Sequence, residues 1–318
     1  MKVSLPGVAA VVSGCLAAGL VLAGCTSPSP AARRAADVVT DQAQASAVAK
    51  AAASRAAAGK LAAAREAAAR AGAAAAARPR VDLTRVRASD GSLVTVAVFH
   101  GTVRYVLHDG SGDPYVPPGM VRARSAVVGA ERQGLLAAFN GGFKMSAGAG
   151  GYEQEGHVFY SLRAGLASLV IDRSGRARIG VWGHGLPAPG EDVYSVRQNL
   201  QPLVLGGKPS GAASDWGLWG ATLGGGEYVA RSAVGEDAAG HLIYVGSMST
   251  TPYDLAQVLA REGARTAMEL DINPEWVQLD VAQTAGGTMH AEVYEQSRPA
   301  DQYLHGWSRD FFTVVNPS

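Results

Sequence analysis

The stretch Thr266–Trp276, TAMELDINPEW, has the pattern of a strand that delivers carboxylates to a loop. Side chains alternate between the two faces of a strand, so Met268 and Leu270 point one way while Glu269 and Asp271 point the other. Two residues of rise place the two acids about 7 Å apart. The stretch therefore predicts a strand with one apolar face and one acidic face, ending at Asp271.

The segments before this strand indicate how it joins a sheet. Residues 252–263 form an amphipathic helical pattern, with Thr251 as a plausible N-cap and Gly263 as its stop. An apolar strand at His241–Gly246 precedes the helix. The order strand, helix, strand indicates a crossover unit whose second strand ends at Asp271. Ligand sites favour such carboxyl ends of strands.

The rest of the chain favours a strand-rich fold. Hairpin signals occur at residues 93–107, around a turn at His100–Thr102, and again at residues 167–181 and 227–242. Forty glycines against six phenylalanines also imply many turns. We therefore expect an α+β fold with a mixed, hairpin-rich β-sheet core and a few flanking helices, preceded by an alanine-rich helical stalk.

The N-terminal residues have the layout of an export signal. Lys2 precedes an apolar run, and Leu22-Ala23-Gly24-Cys25 resembles the bacterial lipobox, in which cleavage leaves a lipidated cysteine. We therefore expect residues 1–24 to be a lipoprotein signal peptide and the lipid on Cys25 to anchor the chain at the membrane, in an extracytoplasmic location. An ordinary signal peptide and an uncleaved anchor are the alternatives.

The mature chain divides at a change of composition. Residues 25–79 are rich in Ala, Arg and Lys, and residues 80–318 have the texture of one domain. The five cations from Lys50 to Arg70 recur every five residues and spiral round a helix, which favours a solvated spacer of roughly 60 to 70 Å. A partly disordered basic tail fits the same composition.

Several classes of function receive no support. The formal net charge is only +1, and acidic and basic residues are spread evenly through the C-terminal part of the chain. This charge distribution argues against nucleic acid as a partner. The seven histidines are scattered without the short spacing of zinc ligands, so no metal site is predicted from them. No Gly-x-Ser-x-Gly motif supports a serine nucleophile. No cofactor is firmly implied, although calcium held by Asp271, Asn273 and a backbone carbonyl is an alternative role for this stretch.

Two further segments contain candidate ligand-binding residues. An apolar strand at residues 135–139 runs into Asn140-Gly141-Gly142-Phe143, where glycines let backbone amides approach a ligand, or form a plain turn. Arg231 alternates with apolar neighbours. It is either a paired structural cation or a fork that binds phosphate.

Four ordered motifs between Leu135 and Trp276 together resemble the phosphodiester glycosidase family. They are Asn140–Phe143, Gln201–Lys208 (QPLVLGGK), Arg231–Gly235 (RSAVG) and Thr251–Ala256 (TPYDLA). The last motif leads to the strand where the family has Leu-Asp-Gly-Gly-Gly-Ser. Here Leu270-Asp271 is kept, and Ile272-Asn273-Pro274-Glu275 replaces the rest. Of that final element only Asp271 carries over, and Glu269 makes the site more acidic than the family's usual amide.

The resemblance implies a hydrolase of sugar phosphodiesters, tethered in the cell envelope and acting on wall or extracellular glycan. Asp271 and Glu269 are then the candidate catalytic carboxylates, since a glycosidase usually needs two. The predicted substrate-binding residues are Asn140, Gly141, Gly142, Arg231, Thr251 and Glu275, with Arg231 as a phosphate clamp. The alternative is a non-catalytic envelope module that binds glycan or a protein on the same fold. A pocket that holds Asn140, Arg231 and Asp271 together would favour the enzyme, and a filled or splayed one would favour the binding module.

We predict that Cys25 is the mature N-terminus and carries lipid, because small residues precede it as signal peptidase requires. The variant Cys25→Ala is expected to appear in the medium or to accumulate unprocessed. Mass spectrometry of the N-terminal peptide of the native protein measures both the cleavage point and the lipid. An unmodified native N-terminus downstream of Cys25 would contradict the prediction.

Overall fold

The computed structural model describes residues 30–77, 80–222 and 224–317. The expected signal peptide at residues 1–24 and the lipidation site Cys25 lie outside these ranges. In the described part of the chain the helices are α1 (Pro30–Ala77), α2 (Gly129–Gly134), α3 (Pro252–Arg261) and α4 (Gln302–His305). Short 3₁₀ turns occur at Met145–Ala147, Gly211–Ser214 and Trp216–Leu218.

The strands begin just after the spacer region and continue to the C-terminal end. The first ten are β1 (Val81–Arg87), β2 (Leu93–Phe99), β3 (Arg104–His108), β4 (Leu135–Asn140), β5 (Tyr152–Gln154), β6 (His157–Tyr160), β7 (Ala167–Asp172), β8 (Ala177–Val181), β9 (Val193–Gln198) and β10 (Val204–Leu205). The others are β11 (Lys208–Pro209), β12 (Val229–Glu236), β13 (Leu242–Thr250), β14 (Thr266–Glu269), β15 (Leu279–Ala282), β16 (Met289–Ala291) and β17 (Phe311–Val315).

These strands form three antiparallel sheets. A seven-stranded sheet has the order β1-β2-β13-β12-β14-β10-β11. Two five-stranded sheets have the orders β16-β15-β4-β17-β3 and β6-β5-β9-β7-β8. The expected α+β class, with a hairpin-rich sheet core, few flanking helices and a helical N-terminal segment, is confirmed.

Helix α1 covers most of the predicted spacer and consists largely of alanine, the strongest helix former. Its 48 residues correspond to a length of roughly 70 Å at 1.5 Å per residue. Every side chain described in this helix is exposed. None of the helices in the described ranges is long and apolar enough to cross a membrane.

The predicted crossover unit is found, with one strand inserted between its two parallel members and with its second strand ending at Glu269, two residues before the predicted end. Strands β13 and β14 both pair with β12 in the antiparallel sense, so they run parallel to each other on either side of it. Helix α3 connects them, capped by the Thr251 side chain, which accepts the N–H of Asp254. The helix buries Leu255, Val258 and Leu259 against the sheet, which places the end of β14 beside β12.

Two of the three predicted hairpins are confirmed, as β7–β8 and β12–β13. The hairpin predicted between residues 93–99 and 103–107 is wrong. Strand β2 pairs with β1 and β13, whereas β3 pairs with β17 in a different sheet. The turn at Gly101, which has a φ of 69°, therefore carries the chain from one sheet to the next.

The main core lies where the three sheets meet. The ring of Phe139 on β4 is 5.8 Å from Phe99 on β2, 5.3 Å from Phe312 on β17 and 5.4 Å from Tyr244 on β13. Leu169 on β7 belongs to the same buried cluster. Each such side chain contributes about 1.5–3 kcal/mol when fully buried, so the cluster binds the sheets together. The end of β4 and the end of β14 are thereby held close to each other.

Candidate active site

Backbone pairing with β12 places Asp271 just beyond the end of β14. The N–H of Leu270 donates to the carbonyl of Ser232 at 2.8 Å, and the N–H of Ser232 donates to the carbonyl of Asp271 at 2.9 Å. Met268 and Leu270 pack together in the main core, as the alternating pattern predicts. Glu269 and Asp271 both occur on the acidic side of the stretch, but the structure gives them different surroundings.

The Asp271 carboxylate has one occupied oxygen and one available oxygen. Oδ1 accepts the N–H groups of Ile272 at 2.8 Å and Asn273 at 2.9 Å. Oδ2 accepts no hydrogen bond from the described residues and lies 3.8 Å from Nη2 of Arg309. Burial raises the pKa of Asp271 to about 7, against the opposing effects of Arg309 and the two amides, while the charge of Asp310 adds to the rise. This carboxyl can therefore gain or lose a proton near neutral pH.

Asp271 lines a cleft of about 400 Å³, within the range of roughly 300–1,000 Å³ that is typical of small-molecule sites. We call it the Asp271 cleft. Its walls are mostly apolar with a few polar groups. It is lined by Phe143, Lys144, Ala147, Ala149, Leu200, Gly220, Ala221, Asp271, Ile272, Asn273 and Trp276.

Two cations lie against Trp276, the largest side chain of the cleft. Nζ of Lys144 is 5.0 Å from the centre of the indole ring, and Cζ of Arg309 is 4.2 Å from it. Both distances are within the range of cation–π attraction. The indole therefore contacts one cation in the wall of the cleft, Lys144, and one that lies 3.8 Å from Asp271, Arg309.

Arg309 is a buried cation with unpaired donors, and no motif in the sequence marks it. Its side chain is only 5% exposed. Nη2 donates to the carbonyl of Gly142 at 2.7 Å, and Nε lies 3.3 Å from Oδ2 of Asp113 without hydrogen-bond geometry. Nε and Nη1 have no hydrogen-bond partner in the described part of the chain. Buried guanidinium donors are costly to leave unpaired, and the carboxylates of Asp113 and Asp271 compensate the charge of this cation.

Arg231 is a paired structural cation, which is one of the two alternatives left by the sequence. Its Nη1 lies 2.8 Å from Oε1 of Glu269, and both side chains are fully buried. The guanidinium also donates to the carbonyls of Thr250, Trp219 and Glu227. Neither Arg231 nor Glu269 lines the Asp271 cleft. The pair instead joins β12, β14 and the loop that leads to β12.

Glu269 and Asp271 have different neighbouring groups. Burial raises the pKa of Glu269 to about 7, the ion pair with Arg231 lowers it, and the nearby charge of Asp271 raises it further. Its second oxygen, Oε2, is buried and has no hydrogen-bond partner among the described residues. Both predicted catalytic acids therefore titrate near neutral pH, but only Asp271 borders the cleft.

Asn140 is the centre of a buried hydrogen-bond network. Its Nδ2 donates to the carbonyl of Gly141 and to Oγ of Ser232, each at 2.9 Å. Its Oδ1 accepts the hydroxyl of Tyr244 and the N–H of Gln278, each at 3.2 Å. Because all of these positions are used, Asn140 reaches Asp271 indirectly, through Ser232.

The two glycines after Asn140 make room for a buried ion pair. Arg197 lies 2.7 Å from Asp310, and both side chains are fully buried. A Cβ on Gly141 would lie 2.0 Å from Oδ2 of Asp310, and one on Gly142 would lie 2.8 Å from Cζ of Arg197. The N–H groups of Gly141 and Gly142 donate to the carbonyl and the carboxylate of Asp310, respectively. These amides are therefore used within the protein, as in the plain-turn alternative.

The last two predicted binding residues also lie outside the residues that line the cleft. Thr251 caps α3 and donates to Oδ2 of Asp254 at 2.6 Å. Glu275 is 53% exposed and pairs with Nη2 of Arg298 at 2.8 Å. Of the predicted residues, Asp271 alone lines the cleft, so the single pocket of Asn140, Arg231 and Asp271 that would favour the enzyme is not found among the described residues. Lys144 and Trp276 line the cleft with Asp271, and Arg309 lies behind it, 3.8 Å from Asp271.

Within the described ranges, no group of three or more His, Cys, Asp or Glu side chains is placed to hold a metal ion. One side-chain oxygen of each residue considered for calcium is engaged locally. Oδ1 of Asp271 accepts two backbone amides, and Oδ1 of Asn273 accepts the N–H of Glu275 at 3.0 Å. The stretch is folded as a pair of side-chain-capped turns.

Comparison with protein families supports the resemblance seen in the motifs. Residues 133–271 match the family model of phosphodiester glycosidase. The resemblance to this family is confirmed over that region. The matched region contains all four motifs and ends at Asp271, and it supports a glycosidase-type function. No curated protein sequence matches the chain.

Solved structures similar to this chain include the catalytic domain of an enzyme and a hypothetical protein. One is the catalytic domain of zebrafish N-acetylglucosamine-1-phosphodiester α-N-acetylglucosaminidase, auto-inhibited by its propeptide, with 14% identity and a TM-score of 0.47 over 76% of this chain and 85% of that chain. Another is a hypothetical protein from Synechocystis, with 14% identity and a TM-score of 0.43 over 74% of this chain and 62% of that chain.

We predict that Gly141→Ala destabilises the domain, because the added Cβ would meet a carboxylate that its ion pair holds in place. The expected loss in the free energy of unfolding is about 3 kcal/mol, at the upper end for overpacking. Denaturant unfolding monitored by tryptophan fluorescence measures it. Gly211→Ala is the matched control, since nothing lies within 4 Å of its Cβ position. Equal stability of the two variants would contradict the prediction.

Proposed function

We propose that residues 80–318 form a hydrolase of sugar phosphodiesters that works in the Asp271 cleft. The observation that carries the proposal is the position of Asp271, which has one available oxygen and a pKa of about 7, in the cleft and 3.8 Å from the buried guanidinium of Arg309. The family match over residues 133–271 supports the same substrate class. A carboxyl that titrates near neutral pH beside an anion-binding cation suits proton transfer on a phosphorylated substrate.

In this proposal the substrate phosphate binds between Lys144 and Arg309. Arg309 contributes a fork of fixed geometry, and Lys144 contributes a mobile charge. The sugar packs against the apolar wall formed by Phe143, Ile272 and Trp276. An aromatic ring offers a flat apolar surface to the carbon-bearing face of a sugar, so the wall orients the anomeric carbon towards Asp271.

The proposed reaction uses Asp271 as a general base. Oδ2 takes a proton from a water molecule, the water oxygen bonds to the anomeric carbon, and the bond from that carbon to the phosphate oxygen breaks. The phosphate monoester leaves with the electron pair and needs no proton, because its second pKa is about 6. Arg309 and Lys144 stabilise the charge that develops on it. The second oxygen, Oδ1, stays bound to the amides of Ile272 and Asn273 and keeps the carboxylate in position.

The other predicted site residues receive supporting roles. We assign Glu269 and Arg231 to a buried pair that holds the loop before β12 against β14. Asn140 positions Asp271 through Ser232, and the two glycines after Asn140 admit the Arg197–Asp310 pair. Thr251 and Glu275 act through the helix cap and the ion pair that they form.

The envelope location is the second part of the proposal. The lipobox-like sequence before Cys25 supports a lipid anchor, and the exposed helix α1 supports a spacer that holds the domain away from the membrane. The substrate is then a sugar phosphodiester of the wall or of extracellular glycan, outside the cytoplasm. The non-catalytic binding module is the outcome to be preferred if the chain turns over no such substrate.

We predict that the rate of hydrolysis rises with pH and levels off above about 7, because Asp271 must be deprotonated to act as a base. Asp271→Asn is expected to lower kcat/KM by on the order of a hundredfold or more. The asparagine oxygen can still accept the two amides, so the fold should be kept, and thermal unfolding checks this. Steady-state assays on a panel of sugar-1-phosphodiesters measure the rate. Equal turnover by wild type and Asp271→Asn would remove the catalytic role.

We predict that Arg309→Lys weakens inhibition by a phosphate monoester by about tenfold, because an ammonium cannot reproduce two forked donors. Arg298→Lys is the matched control. Arg298 also lies over a tryptophan, 5.1 Å from the Trp307 ring, and pairs with the carboxylate of Glu275, but it forms no ion pair with Asp271 as Arg309 does. Inhibition constants for both variants measure the effect. A similar loss in both variants, or none in either, would exclude Arg309 as the phosphate ligand.

A further inference from the structure

A second groove, separate from the Asp271 cleft, lies between two exposed tyrosines. It is bordered by Tyr228 before β12 and Tyr294 after β16, with Met248 and Ser249 of β13 between them and with Asp90 and Glu295 at its edge. We call it the tyrosine groove. Its volume is about 280 Å³, close to the lower limit of roughly 300 Å³ for small-molecule sites. It shares no residue with the lining of the Asp271 cleft.

The two tyrosines of the groove have exposed side chains and free hydroxyl groups. Tyr228 is 52% exposed and Tyr294 is 53% exposed. Neither hydroxyl takes part in a hydrogen bond with the described residues, whereas the buried hydroxyls of Tyr152 and Tyr244 both donate. Each ring thus offers an apolar face and a free polar tip in the same groove, which is the combination enriched at binding surfaces.

The charges of the groove select the kind of ligand. Asp90 and Glu295 are its charged residues, and no lysine or arginine is among the residues that line it. Oδ1 of Asp90 already accepts the N–H of Ser92 at 2.9 Å, which leaves Oδ2 as an acceptor. Carboxylates accept hydroxyl hydrogens and repel phosphates, so the groove favours a neutral polyhydroxylated ligand. The Asp271 cleft, with Lys144 in its wall, has the opposite preference.

The backbone holds one side of the groove in a fixed shape. Glu295 has a φ of 61°, a conformation that costs a non-glycine residue energy. The turn is closed by the N–H of Gln296, which donates to the carbonyl of Val293 at 3.0 Å. Val293 is buried in the main core, so the turn that carries Tyr294 and Glu295 is anchored to it. A backbone anchored in this way needs little further ordering when a ligand binds to the turn.

We propose that the tyrosine groove is a binding site for a neutral glycan. A pyranose ring stacks on each of Tyr228 and Tyr294, and the sugar hydroxyls donate to Asp90 and Glu295. The site recognises sugar hydroxyls without a phosphate and does not depend on catalysis in the Asp271 cleft. Its effect is to hold a polymer on the surface of the domain while that cleft remains free.

Met248, which lines the groove, provides a direct readout of ligand binding. Met248 is half-buried and lines the groove, whereas Met268 is buried in the core. In the full chain labelled with ¹³C-methyl methionine, neutral hexasaccharides of glucose, mannose and N-acetylglucosamine are titrated, and the resonances are assigned with Met248→Leu. We expect at least one of these sugars at millimolar concentration to shift the Met248 methyl resonance and to leave that of Met268 unchanged.

Substitutions then test which rings make the site. Tyr228→Ala and Tyr294→Ala are each expected to weaken the binding by about tenfold, as the loss of an aromatic stacking surface implies. Tyr253→Ala is the matched control, because Tyr253 is 43% exposed and lines neither the groove nor the Asp271 cleft. Activity of the Asp271 cleft on a small phosphodiester should be the same in all three variants.

Three results would overturn the proposal. The first is no shift of the Met248 resonance with any of the neutral sugars. The second is a shift that survives in both tyrosine variants. The third is a response of this resonance to inorganic phosphate or to a protein partner but not to the sugars. Since the measurement uses binding alone, it stands even if the domain hydrolyses no sugar phosphodiester.

Discussion

The buried ion pair between Arg197 and Asp310 fixes the arrangement of the site. Two fully buried charges are stable only when their remaining donors and acceptors are also satisfied. Arg197 meets this condition by donating to the carbonyls of Phe143 and Gln198, while Asp310 accepts the amide of Gly142. The pair thus joins β9, the approach to β17 and the turn after β4. Arg309, adjacent to Asp310 in the chain, is directed towards Trp276 and Asp271 as a result.

The acids at the end of β14 show how partners decide the role of a buried carboxylate. Burial raises the pKa of both Glu269 and Asp271 to about 7. Glu269 faces the guanidinium of Arg231 at 2.8 Å, with no access to the cleft, so its charge serves the packing of the sheet. In Asp271, one carboxylate oxygen accepts two backbone amides. The other faces the cleft and lies 3.8 Å from Nη2 of Arg309. Of the two carboxyls, only that of Asp271 is placed to exchange a proton with a ligand in the cleft.

Local sequence signals predicted the parts of the fold that depend on neighbouring residues. These parts are the cap of α3 at Thr251, its stop at Gly263 and the two strands that flank it. The prediction of the crossover followed from them. The choice of strand partner is a long-range matter, so the short turn after Phe99 predicted a hairpin where the chain changes sheet. Arg309 was missed for the same reason, because its contact with Gly142 spans 167 residues and no motif marks it.

The loop after Asp271 explains why the candidate site depends on side chains. In the family pattern a glycine-rich turn follows the aspartate, and such turns can bind anions through successive backbone amides. Here the amides of Ile272 and Asn273 donate to Asp271 itself, so they are not available for a phosphate. The same loop brings Trp276 into the cleft, and its indole ring holds Lys144 and Arg309 within 5.0 Å of its centre. In the proposed function these two cations therefore take the place of the backbone amides, and a site built in this way is sensitive to the geometry of one guanidinium group.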